Sequence, residues 1–175
     1  GIPTVTFLRH MREDIDHVGI RNAEATSKAT RHLLDLGHVH IAYLGGTDMT
    51  TVREERIAGY RKTLSQSVDA RPIVWASDDD KPSGLAAMSA LRAAHPEVTA
   101  VVCNGDMVAL GAWLSLARDG LTPGKEISIV GFDDIEDAQL ATPPLTTLAV
   151  SPQSLGRKLA RVLLDRIQQP TLPFT

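Results

Sequence analysis

A chain of 175 residues with 43% apolar side chains can bury a full core and forms one or two domains. Its formal net charge of −3, with 18 Lys and Arg scattered along it, gives no field for attracting phosphates, so this stretch alone is not expected to hold DNA. The only cysteine, Cys103, lies in an apolar run, which excludes a disulfide framework and a cysteine-based metal site and fits a reducing compartment. No basic start leads into an apolar run, and nowhere do about 18 apolar residues follow one another. Secretion and membrane spanning therefore lack a signal and a cytoplasmic location is expected, a pattern shared by a secreted chain whose leader has been removed.

Strands and helices then alternate at the spacing of βαβ units. Residues 2–8 and 17–20 read as two short strands. Asn22 offers a side-chain oxygen to the first turn of a helix, Ala25, Ala29, Leu33 and Leu36 repeat at helical spacing, and Gly37 suits a left-handed cap. A strand over 40–44 ends in Gly45-Gly46, and Thr51 with Glu54 reads as a capping box opening a helix to about residue 64. Residues 72–75 form the next strand. A helix from about 83 to 94 stops ahead of Pro96, since the residue before proline is pushed out of the α region. The strand over 99–103 is fully apolar, the helix over 107–117 is closed by Gly120, and 127–131 is the last strong strand. Pro143-Pro144 then breaks the chain, 145–150 runs extended, and Ser151-Pro152 opens a final helix through about 167.

Right-handed crossovers make the four units from 22 to 131 one doubly wound parallel α/β sheet. The first two strands lack partners of their own, and a two-stranded remnant is not stable by itself. Either they join that sheet or they belong to a second lobe.

Ligands in open α/β sheets settle outside the carboxyl ends of the strands. Five loops lie there: Arg21-Asn22, Thr47-Asp48, Ser77-Asp78-Asp79-Asp80, Asn104-Gly105-Asp106 and Asp133-Asp134. Carboxylates, amides and an arginine fork suit a polyhydroxyl ligand such as a sugar. Helix capping competes with binding for Asp106 and Asp134, and the run from Asp78 to Asp80 reads as a solvated loop. Arg53 and Arg56 sit on the first turns of a helix opening after such a loop, where ion pairs with Glu54 or Glu55 are the plain alternative. The six histidines have no ligand spacing, so no metal is expected, and no cofactor is either. The GxxxxGKS/T and GxGxxG phosphate loops are absent. No GxSxG elbow exists and Cys103 lacks an exposed basic setting, so catalysis has no support and the chain is not expected to be an enzyme.

Several runs nevertheless form an ordered set. Leu36-Gly37-His38 with Ile41 through Gly46, Glu55-Arg56-Ile57-Ala58-Gly59-Tyr60, Asp106 with Ala109-Leu110-Gly111-Ala112, Val130-Gly131-Phe132-Asp133-Asp134-Ile135 and Pro143-Pro144-Leu145-Thr146-Thr147 together resemble the effector-binding core of the lactose and galactose repressor family of transcription regulators. Arg53-x-x-Arg56 and Gly111-Ala112-Trp113 look closest to its maltose-regulon branch. The resemblance implies a type I periplasmic-binding-protein-like fold of two α/β lobes with a ligand between them. On that reading 1–22 are a remnant of the N-terminal lobe, 23–147 the complete C-terminal lobe, and 148–175 a crossover and a helix returning to the N-terminal lobe. A helix-turn-helix reader, its hinge and the first half of the N-terminal lobe would precede residue 1.

Matched by position, Arg56 and Asp133 correspond to the family's effector-binding arginine and aspartate. Thr50, Asn104 and Asp106 fall at neighbouring cleft positions, Arg53 is a further candidate, and Arg9 is a candidate from the N-terminal side. The family usually has Asn-Asp where this chain has Gly105-Asp106, with an asparagine one place earlier, and Val150 replaces a frequent glutamine. The resemblance further implies a homodimer without membrane contact. In it a small sugar-like effector shifts the population between two conformations and so changes operator DNA affinity. A periplasmic sugar-binding protein of a transport system is the alternative reading.

Overall fold

The computed structural model describes residues 2–7, 12–47 and 50–174. The chain folds into two compact units, a smaller one of Gly1–Arg21, Thr50–Val52 and Ser151–Thr175 and a larger one of Asn22–Met49 and Arg53–Val150. In the smaller unit, strands β1 (Val5–Phe7) and β2 (Asp16–Val18) run parallel, with Val5 opposite Asp16. They are shorter than the apolar runs suggest and make a sheet of their own instead of joining the larger one.

The larger unit opens with α1 (Asn22–Asp35), which buries Ala29 and Leu33 and ends at Gly37, whose φ of +90° fills the left-handed position foreseen for it. Then follow β3 (Ile41–Leu44), α2 (Thr51–Leu64), β4 (Ile73–Trp75), α3 (Lys81–Ala94) and β5 (Ala100–Cys103). They are succeeded by α4 (Asp106–Arg118), β6 (Ser128–Asp133), the short α5 (Glu136–Leu140) and β7 (Thr146–Ala149). The first turn of α2, Thr51 and Val52, groups with the smaller unit. All five strands are parallel, in the order β4-β3-β5-β6-β7.

Two differences from the sequence reading concern this sheet. The extended segment after the two prolines is a fifth strand, with Val130 opposite Thr146 and Asp133 opposite Ala149, so the larger unit runs to Val150 and not to 147. The short α5 was not foreseen, because five residues carry too little periodicity to signal a helix.

Burial on both faces explains why β3 and β5 read as unbroken apolar runs. Ile41, Tyr43, Ala100 and Val102 face a core completed by Leu33 of α1 and by Ile57, Tyr60 and Leu64 of α2. Ala42, Leu44, Val101 and Cys103 face the opposite core, with Met88 and Leu91 of α3 and Val108, Ala112 and Leu116 of α4. Their period of two splits each strand evenly between the two layers.

After β7 the chain returns to the smaller unit as α6 (Pro152–Gln168), whose N-cap Ser151 accepts the Ser154 N–H at 3.2 Å. This helix packs on both β1 and β2, supplying the cover a two-stranded sheet requires. Arg166 near its end forms a two-pronged pair with buried Asp16 of β2, at 2.8 and 3.0 Å. The same guanidinium donates to the carbonyls of Pro170, Leu172 and Pro173 and lies 4.5 Å from the Phe174 ring centre.

Candidate functional site

Because the five strands are parallel, the loops that follow them emerge on one edge of the larger unit. Arg56 is the most tightly held of the groups there. One turn into α2, it is only 8% exposed. Its Nε donates to Asn22 Oδ1 at 3.0 Å, its Nη1 donates to the backbone carbonyl of Asn104, and its Cζ lies 3.7 Å from the Phe132 ring centre. Asn22 in turn donates to Glu55 Oε2 at 2.9 Å, so its amide serves to brace α2. Among the described residues the second terminal nitrogen of Arg56 has no hydrogen-bond acceptor, which leaves one edge of a fixed, planar donor open.

Asp133 ends β6, one residue beyond the ring that supports Arg56. The two side chains form no ion pair within 4.0 Å, yet Asp133 is the strongest of the charges that favour the Arg56 cation, against burial that lowers its pKa. Burial, reinforced by the neighbouring Asp106 and Asp79 and opposed by Arg56, pushes the Asp133 carboxyl up to about 6, although one side of it opens to solvent. The backbone here is strained: Asp133 has φ +113° and Asp134 φ +60°, a region that costs an L-residue energy and is tolerated mainly where a function requires it. A Cβ placed on Gly105 would lie 3.5 Å from Asp133 Oδ2, so the carboxylate rests over that glycine.

Asn104 joins this pair from the end of β5. It is buried, its Oδ1 accepts from the Tyr43 hydroxyl at 2.7 Å, and its Nδ2 donates to both oxygens of Asp79 at 2.7 and 3.0 Å. Burial holds the Tyr43 phenol protonated far above its ordinary range, which keeps it a donor. Asp79, read from the sequence as part of a solvated loop, is thus drawn into the site. The signal that could have found it is its place after a strand end; what hid it was the run of three aspartates. Of its neighbours, Asp80 is the N-cap of α3, accepting the Ser83 N–H at 2.7 Å, and Asp78 accepts from Thr47.

Asp106 has a different setting from the one expected of a ligand contact. It is 1% exposed, and its oxygens accept the Ile135 N–H at 2.9 Å and the Thr147 hydroxyl at 2.6 Å. It therefore ties the start of α4 to the corner after β6 and to β7. Only a glycine at 131 leaves room for this, since a Cβ there would collide with Asp106 Oδ1. The side chain of Arg53 lies over Gly46 on the same edge of the larger unit. Thr50 groups with the smaller unit, and Arg9 lies outside the described residues.

The site is an open rim, not a cavity. Hollows lie elsewhere, among them one of about 560 Å³ between α1 and α2 and one of about 240 Å³ beside Trp113, and neither of these gathers groups from several strand ends. Among the described residues no cluster of His, Cys, Asp and Glu fits a metal ion, and no helix is long and apolar enough to cross a membrane.

A parallel sheet with fixed polar groups at its carboxyl edge has the architecture of an α/β lobe of the kind whose ligands settle at that edge. The profile of the periplasmic binding protein-like domain matches residues 30–174, and the chain belongs to that family. It is 33% identical over 144 residues to the ribose operon repressor of Haemophilus influenzae, an overlap of 81% of this chain and 43% of that protein. A LacI family transcriptional regulator from Enterococcus faecium solved with bound ribose superimposes with a TM-score of 0.89 at 27% identity, over 98% of this chain and 65% of that one. The transcriptional regulator CelR in complex with cellobiose gives 0.89 at 31% identity, over 98% of this chain and 54% of the other. The chain spans about half the length of the curated relatives it matches.

Proposed function

We propose that this chain is the effector-sensing part of a DNA-binding transcriptional repressor, and that a small sugar-like metabolite is gripped at the rim by Arg56 and Asp133. The observation that carries this reading is the relation of those two residues. Arg56 is immobilised by Asn22, Asn104 and Phe132 with an edge left over, and Asp133 stands close enough to feel its charge without pairing to it. Fixed donors beside a carboxylate acceptor are what a ring of hydroxyls needs. The sugars bound by the two regulators that share this fold support the ligand class, and relatives that are regulators support a binding role over catalysis or transport.

On this reading Asp106 positions the rim without touching the ligand, and Arg53 is a secondary contact. The effector stabilises one conformation of a cytoplasmic homodimer and so changes the operator affinity of a helix-turn-helix outside this chain. The test is a thermal-shift screen of sugars on the full-length regulator, followed by calorimetry on Arg56→Ala and Asp133→Ala. Both variants are expected to lose effector affinity while still binding operator DNA; unchanged affinity in both contradicts the proposal.

A further inference from the structure

We infer that Asp79 is a specificity-determining residue of the rim, and that the ligand it selects is an uncharged polyhydroxyl molecule, not a phosphorylated or otherwise anionic one. The inference rests on the rim being a ligand site, and it follows from how the turn after β5 is bracketed. Asn104 carries Asp79 on its side-chain amide, Gly105 lies beneath the Asp133 carboxylate, and Arg56 holds the Asn104 carbonyl. Two carboxylates therefore flank one guanidinium. Asp79 adds to the charges felt by both Arg56 and Asp133, so it acts within the same field and not merely in the loop.

Asp79 is fixed but not used up. The chain Tyr43 hydroxyl to Asn104 to Asp79 consumes both ends of the Asn104 amide, so Asn104 serves as a relay that sets the direction of Asp79. Asp79 itself is exposed and keeps acceptor capacity on its outer side. Hydroxyls can donate to it and to Asp133 together.

Helix N-termini, which ordinarily attract anions, do not reverse this balance. The end of α3 is occupied by the Asp80 carboxylate, and the first turn of α4 already carries Asp106. Arg53 is a second cation near the edge, but Asp133, Asp79 and Glu55 all add negative charge at Arg56. A phosphate brought to Arg56 meets more negative than positive charge.

The test uses the intact chain at pH 8, where Asp133 is ionised, with inorganic phosphate as the probe and the Arg56 Nε–H resonance as the readout. The wild-type signal is expected to stay unperturbed at tens of millimolar phosphate, on the order of the weak end of the affinity scale. Asp79→Asn, which removes the charge at an exposed position while keeping the shape, and the double variant Asp79→Asn with Asp133→Asn are expected to gain phosphate affinity, by about tenfold or more in the double variant. Wild-type protein that binds phosphate at Arg56, or variants that gain nothing, would overturn the inference. The readout needs no effector, so a sugar screen without a hit counts against the proposed function and leaves this result separate.

Discussion

The guanidinium of Arg56 stacks 3.7 Å from the ring centre of Phe132, and Phe132 immediately precedes Asp133 in the same strand. One aromatic ring thus supports the cation of the site and anchors the backbone that carries its anion. Arginine over an aromatic face gains about 1–2 kcal/mol when desolvated. Arg56→Lys loses the stacked plane and the Asn22 and Asn104 bonds at once, and is expected to weaken effector binding more than tenfold. Phe132→Leu keeps an apolar side chain of somewhat smaller volume and loses the face, with an expected loss of about tenfold, which corresponds to about 1.4 kcal/mol. Calorimetric titration of the full-length protein with the effector found by screening checks the order of the two.

The raised Asp133 carboxyl gives a pH signature whose two signs are opposite. A folded-state value of about 6 against an ordinary 3.8 means the folded protein holds this proton more tightly than the unfolded chain. Its contribution to folding is therefore present below about 4 and lost as pH rises through about 6. Ligand binding runs the other way, because the ionised carboxylate is the stronger acceptor of hydroxyl protons. Effector affinity is expected to fall by about tenfold per pH unit below 6, and Asp133→Asn is expected to flatten the profile. Dissociation constants measured between pH 5 and 8 decide this.

Asp106 should behave as a structural residue. Asp106→Ala removes the acceptor of the Ile135 N–H and the Thr147 hydroxyl in a half-buried corner, at a cost of about 1 kcal/mol for each bond. Urea unfolding is expected to show a midpoint lowered accordingly. A variant as stable as the wild type would remove Asp106 from this role.

The left-handed backbone at Asp134 offers a stabilising change. Asp134→Gly removes side-chain strain at φ +60° and is expected to stabilise the chain by about 0.5–1 kcal/mol, at the cost of a weak 3.3 Å bond from Gln139. A thermal melt of the ligand-free protein reads the difference directly.

Elements with strong periodicity were legible before the structure: α3, α4, α6 and the buried strands β3 and β5 lie within a residue or two of their expected bounds. The fifth strand was legible only as an extended segment, because pairing of β7 with β6 is a tertiary event that its own four residues do not encode. At the rim, position after a strand end made Asn104 and Asp133 candidates, whereas Arg56 rested on the family resemblance against a plain surface ion pair. Direction was not legible. Whether an aspartate after a strand turns inward like Asp106 or faces the edge like Asp79 depends on neighbours more than 20 residues away: Thr147 for Asp106, Asn104 for Asp79. The support of Arg56 by Phe132 is equally nonlocal.

The bond between Asp106 and Thr147 also has a mechanical side. Thr147 belongs to the strand from which the chain leaves the larger unit, and Ile135, the other partner, follows Asp133 by two residues. One carboxylate therefore fastens the loop after Asp133 to β7, the last strand before the chain passes on to α6.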